Sequence, residues 1–287
     1  MTVGQGCLAM ECHQLYRNGH VRTRAREPCR RPTTGSHCIL TATRRWRRRY
    51  NRHALPDLWS GLIYYVVFLF STTLHEAAHA WAAMRGGDQT AYHGGQVSLD
   101  PRPHVRREPF GMVMLPLISL VLAGWPFGFA SAPYDPHWAM RYPKRAAWMS
   151  LAGPGGNLLL VLASAVAIRF GSLAGVFAAP EAVTFDQIVT ASTSGAWEGI
   201  AFLVSVFFSL NLLLAIFNLI PVPPLDGSGA VPLFLDNATT SRYQQFVWGQ
   251  PALAWIGILI AWQIFPLLFQ PLWLFAVNLV HSGMHYG

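Results

Sequence analysis

The sequence predicts an all-α polytopic membrane protein of about five or six transmembrane or re-entrant helices, with a small β-hairpin near its candidate active site. Three observations carry this. Of 287 residues, 52% are hydrophobic and 12% charged, and that charged share is about half of the ~25% usual in soluble domains. The apolar residues gather in runs, several of them close to the roughly 20 residues a helix needs to cross a bilayer. Between two of the runs, a short polar stretch alternates as a strand does.

The first run is about Leu58 to Met84, stopped by Gly86-Gly87. Asp88 to Pro109 is polar, and its Gln96-Val97-Ser98-Leu99 alternation, between Gly94-Gly95 and Asp100-Pro101, predicts the strand or hairpin. Phe110 to Trp125 is short for a span and holds Pro116, so it is read as re-entrant or strongly bent. A loop rich in Pro, Gly and aromatic residues covers Pro126 to Pro143. The next run, about Arg145 to Phe170, opens on Gly153-Pro154-Gly155-Gly156-Asn157, a composition suited to close backbone approach or local unwinding. Gly171 to Trp197 reads as a surface loop. A fourth run, about Gly199 to Ile220, ends in Pro221-Val222-Pro223-Pro224-Leu225-Asp226-Gly227. The last, about Leu253 to Val280, contains Pro266 and Pro271 and is one kinked span or two short ones.

The formal charge of +8 belongs to one end of the chain. Twelve of the 21 Lys and Arg residues precede Ala54, including Arg44, Arg45, Arg47, Arg48 and Arg49, and the remainder is close to neutral with a single lysine, Lys144. Residues 1–53 are therefore read as a basic, disordered tail and 54–287 as the membrane domain. The body's expected surroundings are a lipid bilayer, with no nucleic acid as partner. All four cysteines, Cys7, Cys12, Cys29 and Cys38, lie in the tail. With nearby histidines they raise the alternative of a zinc knuckle, but their spacings match no familiar zinc template. The tail has no apolar run suited to a signal peptide.

The chemistry centres on His75-Glu76-Ala77-Ala78-His79, inside the first run. On a helix, histidines at i and i+4 share a face and reach one zinc ion, while the glutamate between them can act as a base on water. Titratable groups at membrane depth are unfavourable by several kcal/mol and tend to persist where function needs them (about 2.5–3.5 kcal/mol by insertion scales). A pair of ordinary core histidines would leave that depth unexplained. Catalytic zinc takes three protein ligands and an open position. The candidate third ligand is Asp226, directly after a proline-broken helix, with Gly227 permitting a tight turn. An ordinary turn aspartate is the alternative. Asp236, the next acid along, is read as lying outside the site.

Three motifs in order, HEAAH, Ser150–Asn157 (SLAGPGGN) and Phe217–Gly227 (FNLIPVPPLDG), resemble the site-2 protease family of intramembrane zinc metalloproteases. The likeness covers about Leu58 to Leu235 and is closest to the compact bacterial type without a PDZ domain, for which Gly171–Trp197 leaves no room. The resemblance implies a zinc-dependent endopeptidase of the cell membrane that hydrolyses transmembrane protein substrates with one catalytic Zn2+. It implies His75, His79 and Asp226 as metal ligands and Glu76 as general base. Asn218 would be the amide near the scissile carbonyl, and Asn157 either a second polar contact at the site or a helix-packing asparagine. There are departures. Related members often carry Asn-Pro-x-x-His-Ile-Asp-Pro where this chain has Asp100-Pro101-Arg102-Pro103-His104-Val105-Arg106-Arg107, and a loop lysine where it has Gly128–Pro133. His104 is thus a candidate supporting or gating residue.

Two rival classes follow from the same residues. A metal transporter would spread polar groups through several spans and would not need Glu76. A catalytically inactive scaffold that binds membrane helices would not keep Glu76 either.

Overall fold

A computed structural model describes residues 58–281 and 284–286. The expected basic tail and its cysteines lie outside the described residues. Among the described residues four helices are long and apolar enough to cross a membrane: α1 (Leu58–Gly86), α6 (Pro143–Leu173), α7 (Ala196–Asn218) and α10 (Ala252–Val280). Between them lie α2 (Thr90–His93), α3 (Pro101–Arg107), α4 (Leu115–Ala123), α5 (Pro136–Arg141), α8 (Asp226–Ala230) and α9 (Asn237–Gly249). The chain is an all-α polytopic membrane protein, with one small hairpin among the described residues.

Helix α6 is the centre, packed along both α1 and α7. The α1–α7 seam is closed by Tyr64, Val67, Phe68, Val206 and Leu210, all buried. Polar residues of α1 answer their own helix: the Thr72 and Thr73 hydroxyls donate to the Phe68 and Leu69 carbonyls at 2.8 and 2.7 Å. That removes the cost of an unpaired hydroxyl at membrane depth. By contrast α10 is an outer helix, with 11% of its apolar window buried against 50% for α7. Its Trp255, Leu259, Leu267 and Leu279 are exposed, as suits a face turned to lipid. Pro266 and Pro271 lie inside this one continuous helix, so the two-span alternative falls away.

The second run is short here too. A π-helical turn, Phe110–Met114, leads into α4, and the chain then doubles back so that Phe129 N–H donates to the Gly111 carbonyl at 3.1 Å. Fourteen helical residues rise about 21 Å, less than the ~30 Å hydrocarbon thickness.

Two local expectations are corrected. Gln96–Leu99 is not a strand. It lies within the seven-residue link 94–100 between α2 and α3, because Asp100 caps α3 by accepting from Arg102 N–H at 2.9 Å and Pro101 occupies the first turn. An aspartate cap followed by proline is a helix start, and it leaves too few residues to pair. The hairpin lies instead in the 171–197 loop, where Phe177–Ala178 (β1) pairs antiparallel with Thr190–Ala191 (β2). It packs with Ile168, Ile188 and Val189, at the other end of α6 from the Gly/Pro stretch. That stretch is not unwound: α6 is helical through Gly153, Pro154, Gly155 and Gly156.

Candidate active site

His75, Glu76 and His79 are all buried on α1. The break after α7 brings Asp226 to them from the far end of the sequence. Prolines at 221, 223 and 224 cannot donate backbone hydrogen bonds, so the helix stops at Asn218. The returning turn is tight: a Cβ on Gly227 would sit 2.3 Å from the Leu219 carbonyl oxygen. Lys144, at the start of α6, clamps the segment beyond Asp226 by donating to the carbonyls of Pro232, Leu233 and Leu235 at 2.6, 3.2 and 2.6 Å.

The result is a convergence of three ligand atoms. His75 Nε2 and His79 Nε2 lie 3.0 and 3.3 Å from the two carboxylate oxygens of Asp226, and 3.0 Å from each other. The Asp226 carboxylate is the anionic member of the set, with one oxygen toward each imidazole.

The surroundings fit a metal ion. His79 Nδ1 is 2.8 Å from the Met149 carbonyl, which can only accept. Nδ1 therefore carries a proton, and in the neutral ring that a metal binds Nε2 keeps the lone pair. His75 Nδ1 is hydrogen-bonded to Asn157 Oδ1 in the same sense. Such outer bonds fix ligand tautomers in metal sites. Gly153 supplies room: a Cβ there would lie 2.3 Å from His79 Nε2 and 2.5 Å from His75 Nε2. Two imidazoles and a carboxylate with a bare glycine opposite are a donor set that zinc accepts.

A cavity of about 410 Å3 opens from this point, lined by Glu76, His79 and Asp226 together with Tyr134, Tyr243 and Trp248. The irregular segment 128–134, not the link at 96–99, runs beside it through Ala130, Ser131, Ala132 and Tyr134.

Not every expected residue faces that space. Asn157 is fully buried behind His75, hydrogen-bonded to it, and does not line the cavity. Asn218 is half-buried at the end of α7 and donates to the Leu214 carbonyl at 3.0 Å. His104 is buried on α3, with Nε2 3.0 Å from the Ser98 carbonyl. It ties the 96–99 link to α3. Sequence reading missed Asn211, two helical turns before Asn218, which meets Asn157. A polar residue in the middle of an apolar span was the available signal.

The sequence profile described as "Peptidase family M50" matches residues 63–261. "Putative zinc metalloprotease YwhC" of Bacillus subtilis is 32% identical over 163 residues, covering 56% of this chain and 64% of that protein. "Putative zinc metalloprotease Rip2" of Mycobacterium tuberculosis is 33% identical over 179 residues, 61% of this chain and 59% of that protein. The Rip2 of Mycolicibacterium smegmatis is 32% identical over 186 residues, 64% and 62%. The chain thus spans under two thirds of the length of these curated relatives. No solved structure matches it.

Proposed function

The chain belongs to peptidase family M50, and we propose from that premise that it is a zinc-dependent endopeptidase of the cell membrane that cleaves transmembrane protein substrates. The observation that carries this is the convergence of His75, His79 and Asp226 at the wall of a cavity that Glu76 also lines, on a helix apolar enough to span a bilayer.

In this reading His75, His79 and Asp226 hold one Zn2+, which supplies Lewis acidity and lowers the pKa of water at the site. Glu76 accepts a proton from the attacking water as the oxygen adds to the scissile carbonyl carbon. It then gives that proton to the departing amide nitrogen as the C–N bond breaks. Asn218 has two amide hydrogens, of which the Leu214 carbonyl takes one. To serve the developing oxyanion, Asn218 has to bring the other to the cavity, whose walls it does not line here. A substrate helix hides its carbonyls in its own hydrogen bonds, so it must be drawn out to be cut. Segment 128–134, which belongs to no helix or strand, offers a wall along which an unwound substrate can lie. His79 and Met149 keep the ligand geometry while this happens.

Glu76→Gln removes the base and leaves the ligands. Purified in detergent, this variant keeps wild-type zinc content and loses cleavage of a model transmembrane substrate by about 100-fold or more, the range of a general base. A strong chelator inactivates the wild type. Cleavage by Glu76→Gln at the wild-type rate would remove Glu76 from the mechanism. A chain that binds zinc but cuts nothing would favour the scaffold or transport readings.

A further inference from the structure

Behind the ligand histidine the membrane interior holds three polar side chains, Ser71, Asn157 and Asn211, each with no exposed surface. They join α1, α6 and α7. Asn157 Nδ2 donates to Asn211 Oδ1 at 2.9 Å and to the Ser71 carbonyl at 3.4 Å. Asn211 Nδ2 donates to the Phe207 carbonyl at 2.8 Å and to Ser71 Oγ at 3.0 Å. All four amide hydrogens are spoken for.

We infer that Asn211 is a positioning residue for zinc, one that sets which nitrogen of His75 faces the metal. The direction of every bond follows from one end. The Phe207 carbonyl only accepts, so Asn211 must turn its NH2 toward it and its oxygen toward Asn157. Asn157 must then present NH2 to Asn211, an orientation the Ser71 carbonyl also requires, and its oxygen to His75. An oxygen at that place accepts, so His75 Nδ1 carries a proton and, in the neutral ring, Nε2 is left with the lone pair for a metal. A backbone carbonyl on α7 thereby fixes a tautomer on α1, two hydrogen bonds beyond the side chain that touches the histidine. His79 needs no such chain because a backbone carbonyl, that of Met149, meets it directly. An amide rotor can be placed two ways, and the 2.9 Å bond to Asn211, backed by the longer 3.4 Å bond to the Ser71 carbonyl, removes that choice.

This rests on the reading of His75 as a zinc ligand, and the experiment separates the two. Zinc affinity is measured by chelator competition on the full chain in detergent, with helix content by circular dichroism as the folding check. Asn211→Leu is expected to weaken zinc binding about 10- to 100-fold, the range for partners of metal-bound histidines. In an Asn157→Asp background, position 157 presents oxygen to His75 whichever way it turns. Asn211→Leu then causes no further loss. Equal losses in the two backgrounds, or affinity within about twofold of wild type for Asn211→Leu, would overturn the inference, since packing alone predicts the first and no role predicts the second. If His75→Ala itself binds zinc as the wild type does, the ligand reading fails and this inference with it. If His75→Ala loses zinc while Asn211→Leu does not, only the inference fails. Should Asn211→Leu not fold, 15N spectra of histidine-labelled, zinc-loaded wild type decide: a proton on His75 Nδ1 with metal on Nε2 supports the scheme, and the reverse overturns it.

Discussion

Two Gly/Pro-rich stretches build the candidate site, and they fold in opposite ways. Met149–Asn157 stays inside α6, whereas Leu219–Asp226 leaves α7 and turns back on it. The first has one proline among three glycines, and its helix continues past the single missing donor. Its glycines serve proximity: Gly153 meets the two ligand imidazoles, and Gly156 meets Leu74 on α1. The second has three prolines within four residues, which removes three backbone donors from one turn, and the helix cannot go on. Glycine-rich composition in a span therefore signals close approach, and clustered proline signals a break. The two devices cooperate here. One lets α6 lie against the histidines, and the other returns the carboxylate to them.

The sharpest way to break this contrast is Gly153→Ala. Alanine favours helix over glycine by about 1 kcal/mol, so α6 should persist. The new methyl occupies the space between His75 and His79, so zinc affinity should fall by about 1000-fold or more, some 4 kcal/mol. Chelator competition measures it, and near-normal affinity would mean that α6 stands further off than the structure places it.

Asp226→Ala tests the other stretch. Removing one of three ligands while leaving the turn should weaken zinc about 100-fold, some 2.7 kcal/mol. Asp236→Ala is the comparison. Its carboxylate accepts from Thr239 N–H at 2.7 Å and caps α9, so it should fray that helix without changing zinc affinity. Equal zinc losses from the two would demote Asp226 to a turn residue. Gly227→Ala acts through backbone, since its Cβ would meet the Leu219 and Ile220 carbonyl oxygens. A displaced Asp226 should cost about 10-fold in zinc affinity, some 1.4 kcal/mol, and a proportionate share of cleavage.

The smallest effect is the internal control. Gly155, two residues from Gly153 in the same helix, has nothing within 4 Å of an added Cβ. Gly155→Ala should leave zinc and cleavage within about twofold and raise thermal stability slightly through helix propensity, by up to about 1 kcal/mol. A loss comparable to that of Gly153→Ala would show that the stretch needs flexibility, not proximity.

What could be read from the sequence were the features that local chemistry dictates. Apolar runs define α1, α6, α7 and α10 to within about three residues, because bilayer thickness sets the length of a crossing helix. The i, i+4 histidines share a face because helix geometry leaves no alternative. The prolines before Asp226 announce a break whatever surrounds them. Misreadings arose where two local signals competed, as at 96–101, where strand alternation lost to an aspartate cap followed by proline. The tertiary structure alone decided which polar residues meet. Asn157 and Asn218 are alike as asparagines in apolar helices, yet one bonds to His75 across to α1 and the other to its own helix. Asn211 gained its role from a neighbour 54 residues away in sequence. A hydrogen bond across three helices depends on their relative rotation and depth, which packing sets and no local pattern encodes.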